Sequence, residues 1–548
     1  MATGAEQEVR ARGLGWPLWL ALAAVWFATV QVRPMLDPDE GRYAEIPREI
    51  VASGDWITPR LDGLKYFEKP PLQYWATAAV YSVLGPSEWS SRLWAVGLAF
   101  ACLPMVCGWT ERLYGKGAAL AAMAALATSP FFAIVGHLNL LDAGFTFWLT
   151  GCVFAFTLAQ CSAVGSQSER RWMLTAWLAA ALAVLSKGIV VAVLTGAALV
   201  AYTLLERDAR PWRRLHWSLG LPLFLLVAAP WFIAVSVRNP DFAAFFFVHE
   251  HFTRFLTTVH QRVEPWWFFL PLLLLGVLPW LTPLIGACRR AWRDAAPATA
   301  PFKPLKFLLI FAAVTLGFFS ASGSKLAPYI LPMLPPLAAI TGVHVADQAA
   351  FIRGAARLGG AAIAFFGIGL LIYSARRNSY IPQEAIAWAL AAASAGVVAV
   401  LITWRRQPAG ARGAVLVTAA AAIFAWQCLL CEYTVIPPSR SARDLVTAAR
   451  PSIRAQTTLF SVGQYRETVS PYLQRTLTLV EYEGELQFGL REEPGRQTLS
   501  PDQFVARWAS STDAVAFFEP RMWESYRGRG LPGRVIATDS YTIAVSRL

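Results

Sequence analysis

The stretch PPLQYWATAAVYSVLG, Pro70–Gly85, decides how this chain is threaded. It is apolar but only about 15 residues long, short of the ~20 that a helix needs to cross a bilayer. Around it lie thirteen other apolar runs: 15–33, 91–111, 117–136, 141–163, 171–187, 188–206, 215–237, 265–287, 304–321, 326–346, 357–375, 385–404 and 412–433. If Pro70–Gly85 lies at the interface, the basic clusters alternate. Arg112/Lys116, Arg170/Arg171, Arg207–Arg214, Arg289/Arg290/Arg293, Arg353/Arg357 and Arg405/Arg406 fall on one side, which the positive-inside rule makes the inside. Only Arg376/Arg377 breaks the pattern. If the short run spans, most clusters fall outside. The expectation is thirteen spans with the N-terminus inside and the C-terminus outside.

Composition agrees. Of 548 residues, 56% are hydrophobic and 15% charged, where a soluble domain is about a quarter charged. The runs are continuous and do not alternate with period two, so they read as helices and not as barrel strands. The first run follows Arg10 and Arg12 and resembles a signal sequence. It is long for one and lacks a small-residue cleavage site, so an uncleaved first span is expected. The net charge of +13 sits in the loops between apolar runs, which accounts for it without nucleic acid. The seven cysteines lie in or beside apolar runs and read as small packing residues.

After Val435 the character changes. TTLFSVGQ, TLTLVEYE, AVAFFEP and RVIATDSYTIAVSRL read as strands, with helices in RDLVTAARPS, TVSPYLQR and SPDQFVARWASS between them. The chain therefore divides into a membrane domain, 1–435, with outer loops 34–90 and 238–264, and an outer α/β domain, 436–548.

The outer loops hold the unusual polar residues. MLDPDEGRYAEIPREI, Met35–Ile50, carries Asp39 directly after an apolar run. In YFEKPPLQYW, Lys69 precedes two prolines. The residue before proline is held extended, and proline suits a first helical turn. A helix beginning near Leu72 then turns its positive N-terminus toward Lys69, which makes an anion site. Arg254, in FFFVHEHFTRFL, could add a bidentate cation; snorkelling to headgroups is the plain alternative for both. Asp142, in HLNLLD, opens a span and reads either as a cap or as a partner of Asp39 on the same face. Glu68 and His249 are candidate ligands for a zinc-like divalent ion, against ordinary solvated loop residues. Glu45, Arg48 and Glu49 have helical spacing and read as a solvated face.

DPDEGRYAEIPREI, YFEKPPLQYW, the single Asp after the fourth apolar run and the outer α/β domain together resemble the ArnT-like group of GT-C membrane glycosyltransferases, over essentially the whole chain. The D-x-D/E element alone is shared by several families; the combined D-E-G-R-Y and E-K-P-P-L pattern is more specific. The resemblance implies transfer of 4-amino-4-deoxy-L-arabinose from undecaprenyl phosphate to a phosphate of lipid A, on the periplasmic face of the bacterial inner membrane. It implies catalytic roles for Asp39 and Asp142, carrier-phosphate binding by Lys69 and Arg254, and a cavity lined by Tyr43, Tyr66 and Tyr329. HLNLLD departs from the R-x-D of relatives, which leaves the role of Asp142 open. No cofactor is required by such a transfer, and no nucleic acid is involved. A related transferase acting on protein or another lipid is the alternative. A transporter is the reading from another class, but the polar clusters gather on one face and not at mid-membrane.

Overall fold

The computed structural model describes residues 16–253, 264–293, 301–346, 349–377, 383–405, 410–435, 440–496 and 498–547. A helical body occupies the chain up to Val435, and a sheet-bearing domain follows. Among the described residues, six helices are each long and apolar enough to cross a membrane, or seven if the pair Phe269–Gly276 and Leu281–Trp292, bent by 106°, is one span. The chain is a multi-pass membrane protein. These lengths alone do not reach thirteen spans. The expected run 117–136 is broken at Thr128–Ser129. Its first part is fused to the preceding span in Glu88–Ala127, through a kink at Gly115 where φ is 83°. Val190–Glu206, Arg357–Gly369 and Ala419–Glu432 are apolar but shorter.

Pro70–Gly85 becomes the helix Leu72–Leu84, which starts where the double proline predicts and stops at Gly85. At 13 residues it is about 20 Å long, too short to span. It packs on the charged helix Asp39–Ser53, with the Tyr43 and Tyr74 rings 6.1 Å apart. Between these helices runs a small hairpin, β1 (Arg60–Leu61) and β2 (Leu64–Lys65).

The C-terminal domain has five strands: β3 (Thr458–Val462), β4 (Thr478–Val480), β5 (Ala514–Phe518), β6 (Arg534–Thr538) and β7 (Ile543–Ser546). Their order is β4-β3-β5-β7-β6, parallel over the first three and antiparallel at β5-β7-β6. One face buries Phe460, Phe504, Trp508, Phe518, Trp523 and Tyr526. The helix Pro501–Ser510 starts on a reciprocal Ser500/Gln503 capping box, which satisfies two of its orphan N–H groups. The other face joins the core of the helical body through Leu459, Leu479, Val515 and Phe517.

The charged helix is clamped between the body and this domain. A Cβ on Gly41 would lie 2.5 Å from the Glu467 carbonyl carbon, so only glycine allows that approach. Asp37 accepts from the Arg466 Nε at 2.8 Å and the Thr468 N–H at 2.9 Å. The solvated face expected for Glu45, Arg48 and Glu49 is not there. Glu45 and Glu49 are buried; Arg48 binds Glu45 through two hydrogen bonds, at 2.6 and 2.8 Å. Helical spacing shows that residues share a face, not what covers it.

Candidate active site

Glu40 and Arg92 form the frame on which the site is hung. Both are buried, and the Arg92 guanidinium donates to both Glu40 oxygens at 2.8 Å and to the carbonyls of Val30, Arg33 and Pro34. Glu40 also accepts from the Asn139 backbone N–H at 2.8 Å. One buried ion pair thus ties the start of the charged helix, which bears Asp39, to the turn preceding Leu141–Cys161, which bears Asp142. A pair this deep is held by the number of its hydrogen bonds, since attraction alone rarely offsets desolvation.

Asp39 lies one residue from this frame and is the more exposed of the two acids. It accepts from Arg42 at 2.8 Å. Arg42 is buried, turns its other edge to Glu485 of the C-terminal domain, and places its guanidinium carbon 5.9 Å from both the Tyr43 and Tyr66 rings. Burial holds Glu485 and Glu467 above the usual carboxylate range, and the Arg42 charge opposes that shift at both.

Asp142 sits in the first turn of Leu141–Cys161. Its carboxylate pairs with Lys187 at the end of Gln167–Lys187. The Lys187 ammonium lies 4.6 Å from the Tyr329 ring centroid and 5.4 Å from that of Phe145, within cation–π range. Asp39 and Asp142 thus each have their own cation, Arg42 and Lys187.

Lys69 donates to Glu250 at 3.2 Å and to the Glu68 carbonyl at 2.8 Å. The acid next to His249 in sequence is thus brought to the cation that opens the Leu72–Leu84 helix. Arg254 and the His249 side chain lie outside the described residues, so the cation expected at 254 and half of the expected metal pair are not placed. Among the described residues no three His, Cys, Asp or Glu side chains gather to hold a metal ion.

Between these charged groups lies a set of unsatisfied polar atoms. Among the described residues the hydroxyls of Tyr66, Tyr74 and Thr77, the Gln73 Oε1 and the Asn139 Nδ2 are buried without a hydrogen-bond partner. Gln73 and Asn139 meet each other at 3.0 Å, each leaving one end unused. Leaving such groups unpaired costs about 1–3 kcal/mol each, which makes this set a candidate for binding a polar ligand. Sequence reading missed Arg42, Glu485 and Lys187. Lys187 carries a signal in LSKGIV, a lone lysine between two apolar runs; the other two meet only through the tertiary fold.

Residues 18–246 match the family described as dolichyl-phosphate-mannose-protein mannosyltransferase, and residues 445–547 match the aminoarabinose transferase C-terminal domain. Curated relatives include the undecaprenyl phosphate-alpha-4-amino-4-deoxy-L-arabinose arabinosyl transferase 1 of Sodalis glossinidius. It is 35% identical over 351 residues, covering 62% of this chain and 61% of that protein. The corresponding transferase of Pseudomonas aeruginosa (strain UCBPP-PA14) is 34% identical over 346 residues, 62% and 60% of the two chains. The aligned segment thus spans about three fifths of the length of these relatives. Similarity to solved structures runs further. ArnT from Cupriavidus metallidurans bound to undecaprenyl phosphate has a TM-score of 0.87 and 32% identity, with 97% of this chain and 98% of that chain covered. Its apo form has a TM-score of 0.85 at the same identity, covering 100% and 99%. The archaeal oligosaccharyltransferase AglB of Archaeoglobus fulgidus, with a TM-score of 0.50 and 14% identity over 92% of this chain and 70% of that one, shares the fold alone. With the whole length aligned to ArnT at this identity, the chain belongs to the ArnT family of GT-C glycosyltransferases.

Proposed function

We propose that this protein transfers 4-amino-4-deoxy-L-arabinose from undecaprenyl phosphate to a phosphate of lipid A, on the periplasmic face of the bacterial inner membrane. The observation that carries this reading is the end-to-end likeness to an ArnT bound to undecaprenyl phosphate. The match of residues 445–547 to the aminoarabinose transferase C-terminal domain favours it over a protein acceptor.

The chemistry suits the residues. An acceptor phosphate oxygen attacks the anomeric carbon, the bond from that carbon to the carrier phosphate breaks, and undecaprenyl phosphate leaves with the bonding pair. The attacking oxygen is already anionic near neutral pH, so no general base is needed. The work is charge stabilisation. Lys69, at the start of the Leu72–Leu84 helix, and Arg254 are assigned to the leaving phosphate. Tyr66, Tyr74, Gln73 and Asn139 offer unpaired donors and acceptors to a sugar. Asp39 is assigned to the positive charge that develops at the anomeric carbon or to the sugar's ammonium. Asp142, paired with Lys187 beneath Tyr329, is assigned a positioning role on the carrier side, and Tyr43 a place in the cavity wall. Inversion at the anomeric carbon is the family's expectation.

Mass spectrometry of lipid A from cells with and without the gene tests the reading. The expected result is an aminoarabinose increment on lipid A phosphates that disappears on deletion. Unchanged lipid A, with the increment found on protein or on another lipid, would replace the acceptor. Sugar uptake without transfer would replace the enzyme by a transporter.

A further inference from the structure

A second charged cavity, of about 600 Å³, opens between the charged helix, the β1–β2 turn and the C-terminal domain. Its walls carry four arginines, Arg48, Arg60, Arg475 and Arg496, against two acids, Glu49 and Glu493. Arg48 is bound to Glu45, and Arg60 to Glu493 at 2.7 Å. The other two differ. Arg475 donates to the carbonyls of Arg454 and Thr457, at 2.9 and 2.6 Å, which anchor it without cancelling its charge. Arg496 is exposed and lies across Gly63, where a Cβ would fall 1.7 Å from its Nη1. Asp62 interacts with it electrostatically, but burial pushes that carboxyl up to about 8, so it offsets Arg496 only in part. Among the described residues neither Arg475 nor Arg496 forms an ion pair with a carboxylate. Glu49 offsets them less than its formula suggests, because burial and the neighbouring Glu45 and Asp62 hold its carboxyl well above the usual range.

The backbone on its rim is set by ordinary turns: Asp62 and Gly63, with φ of 55° and 75°, make the two-residue turn between β1 and β2, and Gln474, with φ of 56°, ends the helix Val469–Leu473. The cavity also continues. Arg48 and Gln474 are shared with an adjoining cavity of about 270 Å³ that includes Tyr81, Pro86 and Trp89. Trp89 stands at the start of the apolar helix Glu88–Ala127 and is 37% exposed. The pair of cavities therefore leads from the end of a membrane helix, past Glu88, to two guanidiniums that have no ion-pair partner among the described residues.

We propose that this double cavity is a phosphate-binding site, separate from the Asp39–Lys69 site, that takes the phosphate ester of an anionic amphiphile at the membrane surface. Guanidinium pairs match phosphate geometry and bind it through charge-assisted hydrogen bonds. The aromatic and proline side chains next door suit the less polar part of the same molecule. The proposal does not rest on the transferase reading.

The test uses the full-length protein in neutral detergent, in a Lys69→Ala background that silences the other candidate phosphate site. Inorganic pyrophosphate is titrated calorimetrically. Arg475→Ala with Arg496→Ala is expected to weaken binding about tenfold or more. Arg496→Gln alone, at an exposed residue whose side chain makes no hydrogen bond among the described residues, is expected to weaken it about threefold with the unliganded melting temperature unchanged. Equal affinity in the parent and Arg496→Gln proteins, or no binding in the parent, would overturn the proposal. Nanodiscs distinguish the sources. A lipid phosphate predicts that phosphatidylglycerol discs block pyrophosphate and phosphatidylcholine discs do not; a soluble phosphate predicts equal binding in both, with the same arginine dependence.

Discussion

Two charged helices of this molecule meet opposite fates. Asp39–Ser53 has six charged side chains in 15 residues, and ten of its residues are buried. Pro501–Ser510 buries only Phe504 and Trp508 and leaves its charges to water. The first carries the higher share of charge, six in 15 against two in ten, yet it is the one that is buried; its partners make the difference. Every buried ionisable side chain of the first helix meets an opposite charge or a backbone N–H: Glu40 with Arg92, Arg42 with Glu485, Glu45 with Arg48, Glu49 with the Gly63 N–H. That helix is a polar core between two domains. Asp39, near its exposed end, is the acid left facing the candidate site.

The comparison breaks most readily at Arg92. Arg92→Ala strands the Glu40 carboxylate, and removing one partner of a buried pair costs about 3–5 kcal/mol. Thermal unfolding in detergent should show a large drop in melting temperature; an equal effect from Arg507→Ala on the exposed helix would erase the distinction. Next is Gly41→Ala. A methyl 2.5 Å from the Glu467 backbone must push the C-terminal domain away, at about 1–3 kcal/mol as for other overpacking. Faster proteolysis between the helical body and the C-terminal domain is the expected readout, and unchanged cleavage would mean the clamp is loose.

The smallest effect is a pH slope. Burial pushes the Asp62 carboxyl up to about 8 from an ordinary 3.8, with its backbone bond from Leu477 opposing. Between these values the unfolded chain releases a proton that the folded protein keeps. Stability from this group is therefore whole below about pH 4, falls as pH rises, and is gone above about pH 8. Asp62→Asn should flatten the decline of melting temperature between pH 5 and 8; parallel curves would place the Asp62 carboxylate in solvent.

These contrasts also mark how much was legible in the sequence. Hydropathy runs showed a polytopic helical protein, and short strand-like segments after Val435 located β3 to β7. The double proline at 70–71 placed a helix start to the residue. Lys69 and Asp39 were visible as charges beside apolar runs. What was not legible depends on what lies opposite. Glu45 and Glu49 show the same spacing whether water or a second domain covers them. The partner of Asp142 is 45 residues away, and that of Arg42 is 443 away. Helix length among the described residues does not by itself reach thirteen spans for a related reason: a run of apolar residues does not reveal a break such as Thr128–Ser129 inside it.

The most direct test of the account is transfer by purified Asp39→Asn protein, with undecaprenyl phosphate-linked aminoarabinose and lipid A supplied in detergent. The account predicts a folded protein with an unchanged melting temperature and at least about a hundredfold loss of rate, the scale of losing one electrostatic contact to a transition state. Wild-type rates from that variant would remove Asp39 from the chemistry.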